Sequence, residues 1–298
     1  MGIALALLAM VCFATNIFIV RSALARMPLE PGFLVMLGVN VVFTAAVLCI
    51  ELLLRRTPLV FQWRGAGWFV LSGVVGIYLG RRMLLDTIRT LGPARASILH
   101  SSSPVFTLAV AWVLVGERLG AYELGLTALV IAGLWTTQMP GGRESGEHRP
   151  RREELKRGAI PGLFLIMGFG TGNAIRGLAM RTWNEAIFGS LLGTGAALLC
   201  QIASIRNWPK VFADFRKSDR RGLTLFAASG IATACGSMLT TYAMGYIEIA
   251  IATLITFTSP LVVFPVSVFV YKNREGLTLR TAAGAAMVLA GIVLLALR

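Results

Sequence analysis

Charge is what this sequence has least of. Only 14% of its 298 residues are charged, against 56% hydrophobic, where a soluble domain carries roughly 25% charged residues. Too few charges are present to cover a water-soluble surface, and mean hydropathy is +0.74. The bilayer is therefore the expected solvent. Histidine is scarcer still, with two in the chain, and the four cysteines, Cys12, Cys49, Cys200 and Cys235, fall in four different apolar runs. A zinc site needs clustered ligands, so no metal and no other cofactor is expected. The cysteines read as small buried hydrophobes. No ATP-binding motif occurs, so a primary pump would need a partner. The net charge of +14 does not point to nucleic acid, because the Lys and Arg sit between apolar runs and form no continuous patch with interleaved aromatics.

What is present is a series of apolar runs. A spanning helix needs ~20 mostly apolar residues. Ten candidates fall at 2–20, 33–54, 66–85, 93–115, 120–138, 159–178, 184–204, 222–243, 248–271 and 277–297. Ala23-Leu24-Ala25 mimics a signal-peptide cleavage site, but the run before it lacks a basic n-region, so it is read as a retained span. Residues 140–157, PGGRESGEHRPRREELKR, carry ten charges and read as a mid-chain linker. A second polar stretch, Arg206 to Arg221, joins spans seven and eight.

The two sides of that linker repeat each other. Ser103-Pro104 and Ser259-Pro260 are 156 residues apart, as are Gly80 and Gly236. Asn16 matches Asn173 at 157, and Glu117 matches Glu275 at 158. Spans one to five thus match spans six to ten. Five is odd, so the second half enters the membrane from the opposite side, the pattern of transporters with the site at the repeat interface. The expected architecture is an all-α membrane protein of ten transmembrane helices in two inverted five-helix repeats, 1–139 and 158–298. Pro104 and Pro260 would each remove a backbone hydrogen bond, either to kink a helix for packing or to free carbonyls toward a cavity.

The stretch from Ile88 to Gly133 resembles the fourth and fifth helices of the EamA branch of the drug/metabolite transporter superfamily. The resembling features are Gly92-Pro93-Ala94, Ser103-Pro104, Gly116-Glu117-Arg118-Leu119 and Ala132-Gly133. Asn16 and Arg21 resemble the family's first helix, and Ser259-Pro260, Glu275, Leu277 and Ala290-Gly291 repeat the pattern. Lys272-Asn273-Arg274 stands where the family usually has apolar residues and Gly. The resemblance implies two EamA repeats, a central cavity lined by helices one, three, four, six, eight and nine, and transport of small metabolites, often export of amino acids. Superfamily relatives carry nucleotide sugars or sugar phosphates, which leaves an organic-anion exchanger as the alternative, beside a lipid or drug transporter. The orientation departs from many relatives. Connections after odd spans hold 21 Lys and Arg, and the remaining ends hold seven. The positive-inside rule then puts both termini outside a bacterial-type inner membrane.

Ionisable groups at membrane depth are candidates by default. His100 lies one turn before Pro104 and either couples protons to transport or stays neutral and hydrogen-bonded. Asp86, one turn after Arg82, is the second coupling candidate. Of the neighbours Arg81 and Arg82, which point about 100° apart, Arg82 is taken as the inward one. With Arg176, one turn from Asn173, it would suit a carboxylate or phosphate. Asn16 and Asn173 either bind substrate or join helices. Tyr78 and Tyr242 are candidate aromatic walls, and Ser103 and Ser259 complete the set. His100 beside Ser101–Ser103 and Asp86 also suggests a hydrolase triad, but there is no G-x-S-x-G elbow and no enzyme activity is expected. Gly168–Gly172 lacks the Lys and Ser/Thr of a phosphate loop and reads as a close-packing segment. The glycines of spans five and ten would pack or support a homodimer. Expected partners are thus a small-molecule substrate, membrane lipids and protons.

Overall fold

The computed structural model describes residues 1–55, 58–91, 93–138, 152–259, 261–262 and 279–296. Among them there is no strand. The helices are α1 (Gly2–Leu24), α2 (Leu29–Leu54), α3 (Trp63–Ser72), α4 (Gly80–Leu91), α5 (Pro93–Ser101), α6 (Ser103–Val115), α7 (Ala121–Gln138), α8 (Arg152–Thr182), α9 (Ala186–Ser204), α10 (Trp208–Lys217), α11 (Arg220–Met244), α12 (Ile249–Phe257) and α13 (Leu279–Ala296). Among the described residues, six stretches are long and apolar enough to cross a membrane: Gly2–Leu24, Leu29–Leu54, Ile98–Val115, Gly158–Thr182, Ala186–Ser204 and Arg220–Met244. Ala121–Thr137 and Ala283–Leu295 are shorter apolar helices. The charged mid-chain segment is helical from Arg152 onward, as the first turns of α8.

A π-helical segment, Gly73–Leu79, joins α3 to α4. Such segments are rare and sit mostly at functional sites. Its glycines explain it. A methyl on Gly73 would overlap the Gly193 carbonyl of α9, and one on Gly172 of α8 would overlap the Gly76 backbone. A Cβ on Gly168 would lie 3.1 Å from Gly80 Cα. Lipid gives helices no hydrophobic drive to associate, so backbone-to-backbone approach through small residues does that work. The run Gly168–Gly172 is part of this seam. Gly133 and Gly284 meet in the same way between α7 and α13, so those faces are occupied within the chain.

The helix ends meet in two sets of contacts. In the first, Gly2 packs beside Tyr246 and Ile247. Arg55 grips Glu185 with two bonds of 2.8 Å, and Trp183 Nε1 donates to the Val60 carbonyl at 2.9 Å. In the second, Arg26 pairs with Asp219 at 3.1 Å, Gly222 lies against Met27, and Gly158 against Leu91. Arg26 and Asp219 are both exposed, so that pair contributes little.

One buried carboxylate ties the first set together. Gly116 ends α6 in the left-handed region, φ 72°, a conformation that glycine adopts without strain. The turn carries Glu117 inward to 7% exposure. There it accepts from the Ile249 N–H at 2.9 and 3.1 Å and pairs with Arg181 of α8. A carboxylate at the start of α12 meets its unsatisfied donors and the positive end of its dipole.

Two predictions come from these contacts. Gly172→Leu forces a side chain into backbone and lowers stability by about 1–3 kcal/mol or more, read as a lower unfolding midpoint in detergent. Gly195→Ala, at a position open in every direction to 4 Å, is the control and leaves the midpoint unchanged. Equal midpoints for both variants would refute the seam. Glu117→Ala leaves the Ile249 N–H buried and unpaired, at about 1–3 kcal/mol. Glu117→Gln keeps an oxygen for that donor and recovers part of the loss. A Glu117→Ala protein as stable as the parent would remove the cap from the account.

Candidate functional site

The helical run through span four breaks at Ser102. Its N–H turns back to the Leu99 carbonyl at 3.0 Å, and Val105 donates to Ser102 at 3.1 Å. Pro104 stands in the first turn of α6, where its missing N–H costs no helical bond. A similar break follows α12. The helix stops at Phe257, and Leu261 and Val262 donate three residues back, to Thr258 and Ser259. Pro260 lies outside the described residues. Ser259 is 8% exposed.

His100 sits at the first break. Its ring lies 4.5 Å from that of Phe169 on α8 and 4.9 Å from that of Phe257 on α12. Phe169 in turn packs against Gly80, so the glycine seam reaches the histidine through one aromatic ring. Among the described residues, Nε2 of His100 is buried without a hydrogen-bond partner, as are Ser103 Oγ and Thr253 Oγ1. Ser103 is one turn from His100, and Thr253 one turn from Phe257. α6, α8 and α12 all pack on one another. Three unpartnered polar atoms thus gather on helices that meet at His100. Buried polar groups are otherwise nearly always paired, so these are polar positions that the fold leaves for something else.

Two cations lie on the neighbouring helices α4 and α8, which pack on one another. Arg81 is half-buried, with its guanidinium 5.0 Å from the Phe33 ring centroid. Arg82 is exposed and donates to Tyr78 Oη at 3.4 Å, one turn back on its own helix. Of the two neighbours it is therefore Arg81 that is withdrawn from the surface, while Arg82, expected to be the inward one, is exposed, since adjacent helix residues point about 100° apart. Arg176 is half-buried on α8. Neither Arg81 nor Arg176 has a carboxylate partner among the described residues.

The other candidates scatter. Asn16 accepts from Ser229 Oγ at 2.5 Å, which joins α1 to α11. Asn173 stays half-buried without such a partner among the described residues. Tyr242 packs beside Trp183, Phe188 and Ala186, in the aromatic cluster near the Arg55–Glu185 pair and away from His100. Asp86 is half-buried on α4, one turn beyond Arg82. Three residues escaped the sequence reading. Thr253 lies in an unbroken apolar run with nothing to mark it, Glu117 showed only as part of a motif, and Arg81 was indistinguishable from its neighbour.

The model of the EamA-like transporter family matches residues 1–138 and again 161–297. A protein of known crystal structure superposes with a TM-score of 0.71 at 17% identity, covering 99% of this chain and 96% of its own; at that identity the likeness is one of fold. No curated protein matches the sequence. The two matches together span nearly the whole chain, and the apolar helices have the lengths that a bilayer asks for, so this is an integral membrane protein that belongs to the EamA-like transporter family of the drug/metabolite transporter superfamily.

Proposed function

We propose that the protein is a secondary transporter that exports a small polar metabolite carrying a carboxylate or phosphate, an amino acid or related compound, across the cell membrane. The observation that carries this reading is the set of groups at the helix breaks, His100, Ser103 and Thr253, that lack partners among the described residues, together with two half-buried arginines, Arg81 and Arg176, without carboxylate partners among those residues. An anionic substrate would complete both, since a guanidinium holds a carboxylate or phosphate through paired hydrogen bonds. Asn173, one turn from Arg176, supplies an amide to the same ligand. Tyr78 and Ser259 stand at its margin.

Ten spans in two inverted halves are the frame for this mechanism. The double family match and the two helix interruptions, at Ser102 and after Phe257, support it. Alternating access then rocks one half against the other about the site. Glu117 and the Arg55–Glu185 pair hold one side shut. The excess of Lys and Arg after odd spans supports termini on the outer side. His100, with Asp86 as a relay, takes and releases the coupling proton.

Thermal unfolding in detergent against amino acids, amines, sugar phosphates and nucleotides tests the substrate class. A true ligand at 100 times its Kd stabilises by ~2.7 kcal/mol. Zwitterionic or anionic ligands raise the midpoint of the parent, and Arg81→Gln and Arg176→Gln abolish that rise. Stabilisation by phosphates alone assigns the protein to the organic-anion exchangers. A ligand response that survives both substitutions defeats this site. In proteoliposomes, His100→Gln removes the dependence of transport on a pH gradient; an unaltered dependence takes His100 out of the coupling step.

A further inference from the structure

The short helix α10, between the seventh and eighth apolar runs, plays no part in the site above. Trp208, Val211, Phe212 and Phe215 follow i, i+3, i+4, i+7 spacing and share one face. Half of that face is docked. Val211 is 3% exposed, and Phe215 packs into the cluster that holds Val35 and Leu225. The other half is not, since Trp208 and Phe212 are 37% and 61% exposed with ring centroids 5.8 Å apart. Lys210, Arg216, Lys217, Arg220 and Arg221 lie in the same stretch of chain, against Asp214 and Asp219, and all five basic residues are exposed. Asp219 is already engaged by Arg26 and by the Arg221 N–H. An aromatic edge with a basic rim is the composition of a helix lying at a membrane surface.

α10 packs on α2, and along α2 runs a groove of about 550 Å³ with an entirely apolar lining, from Val35 through Gly38 and Val42 to Ala46, with Ile231 of α11 as the other wall. Val35 belongs to both features. From Val35 to Ala46 the groove runs about 16 Å at ~1.5 Å per residue, close to one leaflet of a ~30 Å hydrocarbon core. Arg220 precedes Ile231 by eleven residues, about three turns, so it lies on the same face of α11 and about 16 Å nearer the surface. That is the depth of a lipid phosphate when its chain fills the groove. Arg216 lies one turn after Phe212, in the last turn of α10.

We propose that this is a binding site for one anionic glycerophospholipid, with an acyl chain along the α2–α11 groove and the phosphate held by Arg216 and Arg220. The site stands independently of the transport reading. Charge complementarity selects the occupant, because five basic side chains against two acidic ones favour an anionic over a zwitterionic headgroup.

The test uses the full chain in detergent, with unfolding midpoints and native mass spectrometry in phosphatidylglycerol, in phosphatidylcholine of the same chains, and in glycerol 3-phosphate. Phosphatidylglycerol is expected to stabilise and to remain bound, and the other two are not. Arg216→Gln with Arg220→Gln weakens phosphatidylglycerol binding by about 30-fold. Gly38→Leu, into space open to 4 Å, fills the groove and removes the effect while the protein stays folded. Both arginines are exposed, so their replacement reads binding without unfolding the chain. Equal effects of the two lipids, an effect of glycerol 3-phosphate alone, or phosphatidylglycerol binding that persists in both variants would overturn the proposal.

Discussion

Everything at the centre of this molecule depends on glycine meeting glycine. Where the π segment passes α8 and α9, Gly73, Gly76 and Gly80 face Gly193, Gly172 and Gly168, and no side chain separates the backbones. Dispersion falls off steeply with separation, and apolar surface gains nothing by leaving lipid for protein. Closeness is therefore the main source of attraction available to these helices. The seam also sets function-bearing positions. Gly80 packs against Phe169, and Phe169 packs against the His100 ring.

A second constraint acts along α12. Its first N–H is held by Glu117, and its last residue, Phe257, touches His100. The helix is nine residues long, so about 13 Å at ~1.5 Å per residue separates the capped end from the polar site. One short helix thus carries both the capped end at Glu117 and the aromatic contact with His100.

The sequence made the apolar runs legible, because lipid demands length and hydrophobicity and little else. Gly168–Gly172 was legible as packing for a related reason, since small residues in an apolar run have few other uses. The interior choices were not. Arg81 and Arg82 are identical in type and adjacent, and only their neighbours in the fold, Phe33 for one and Tyr78 for the other, tell them apart. Asn16 was left between substrate and helix contact, and its bond to Ser229, 213 residues away, is a fact of packing. Helix α10 read as a polar stretch because its ten residues are too few for a span and its charges mask the aromatic face.

The unpaired groups and the paired ones divide the molecule by role. Asn16, Glu117, Glu185 and Trp183 are polar and satisfied, and each joins two helices. His100, Ser103 and Thr253 are polar, buried and unsatisfied, and they sit on helices that meet at an interruption. In hydrocarbon an unpaired polar atom costs several kcal/mol, so a packed interface selects against it. A site that is emptied and refilled in each cycle selects for it, because full internal pairing would leave no donor or acceptor for the cargo. Among the described residues, the satisfied groups named here are thus the ones that tie elements together, and the unsatisfied ones lie on the helices that meet at the interruption.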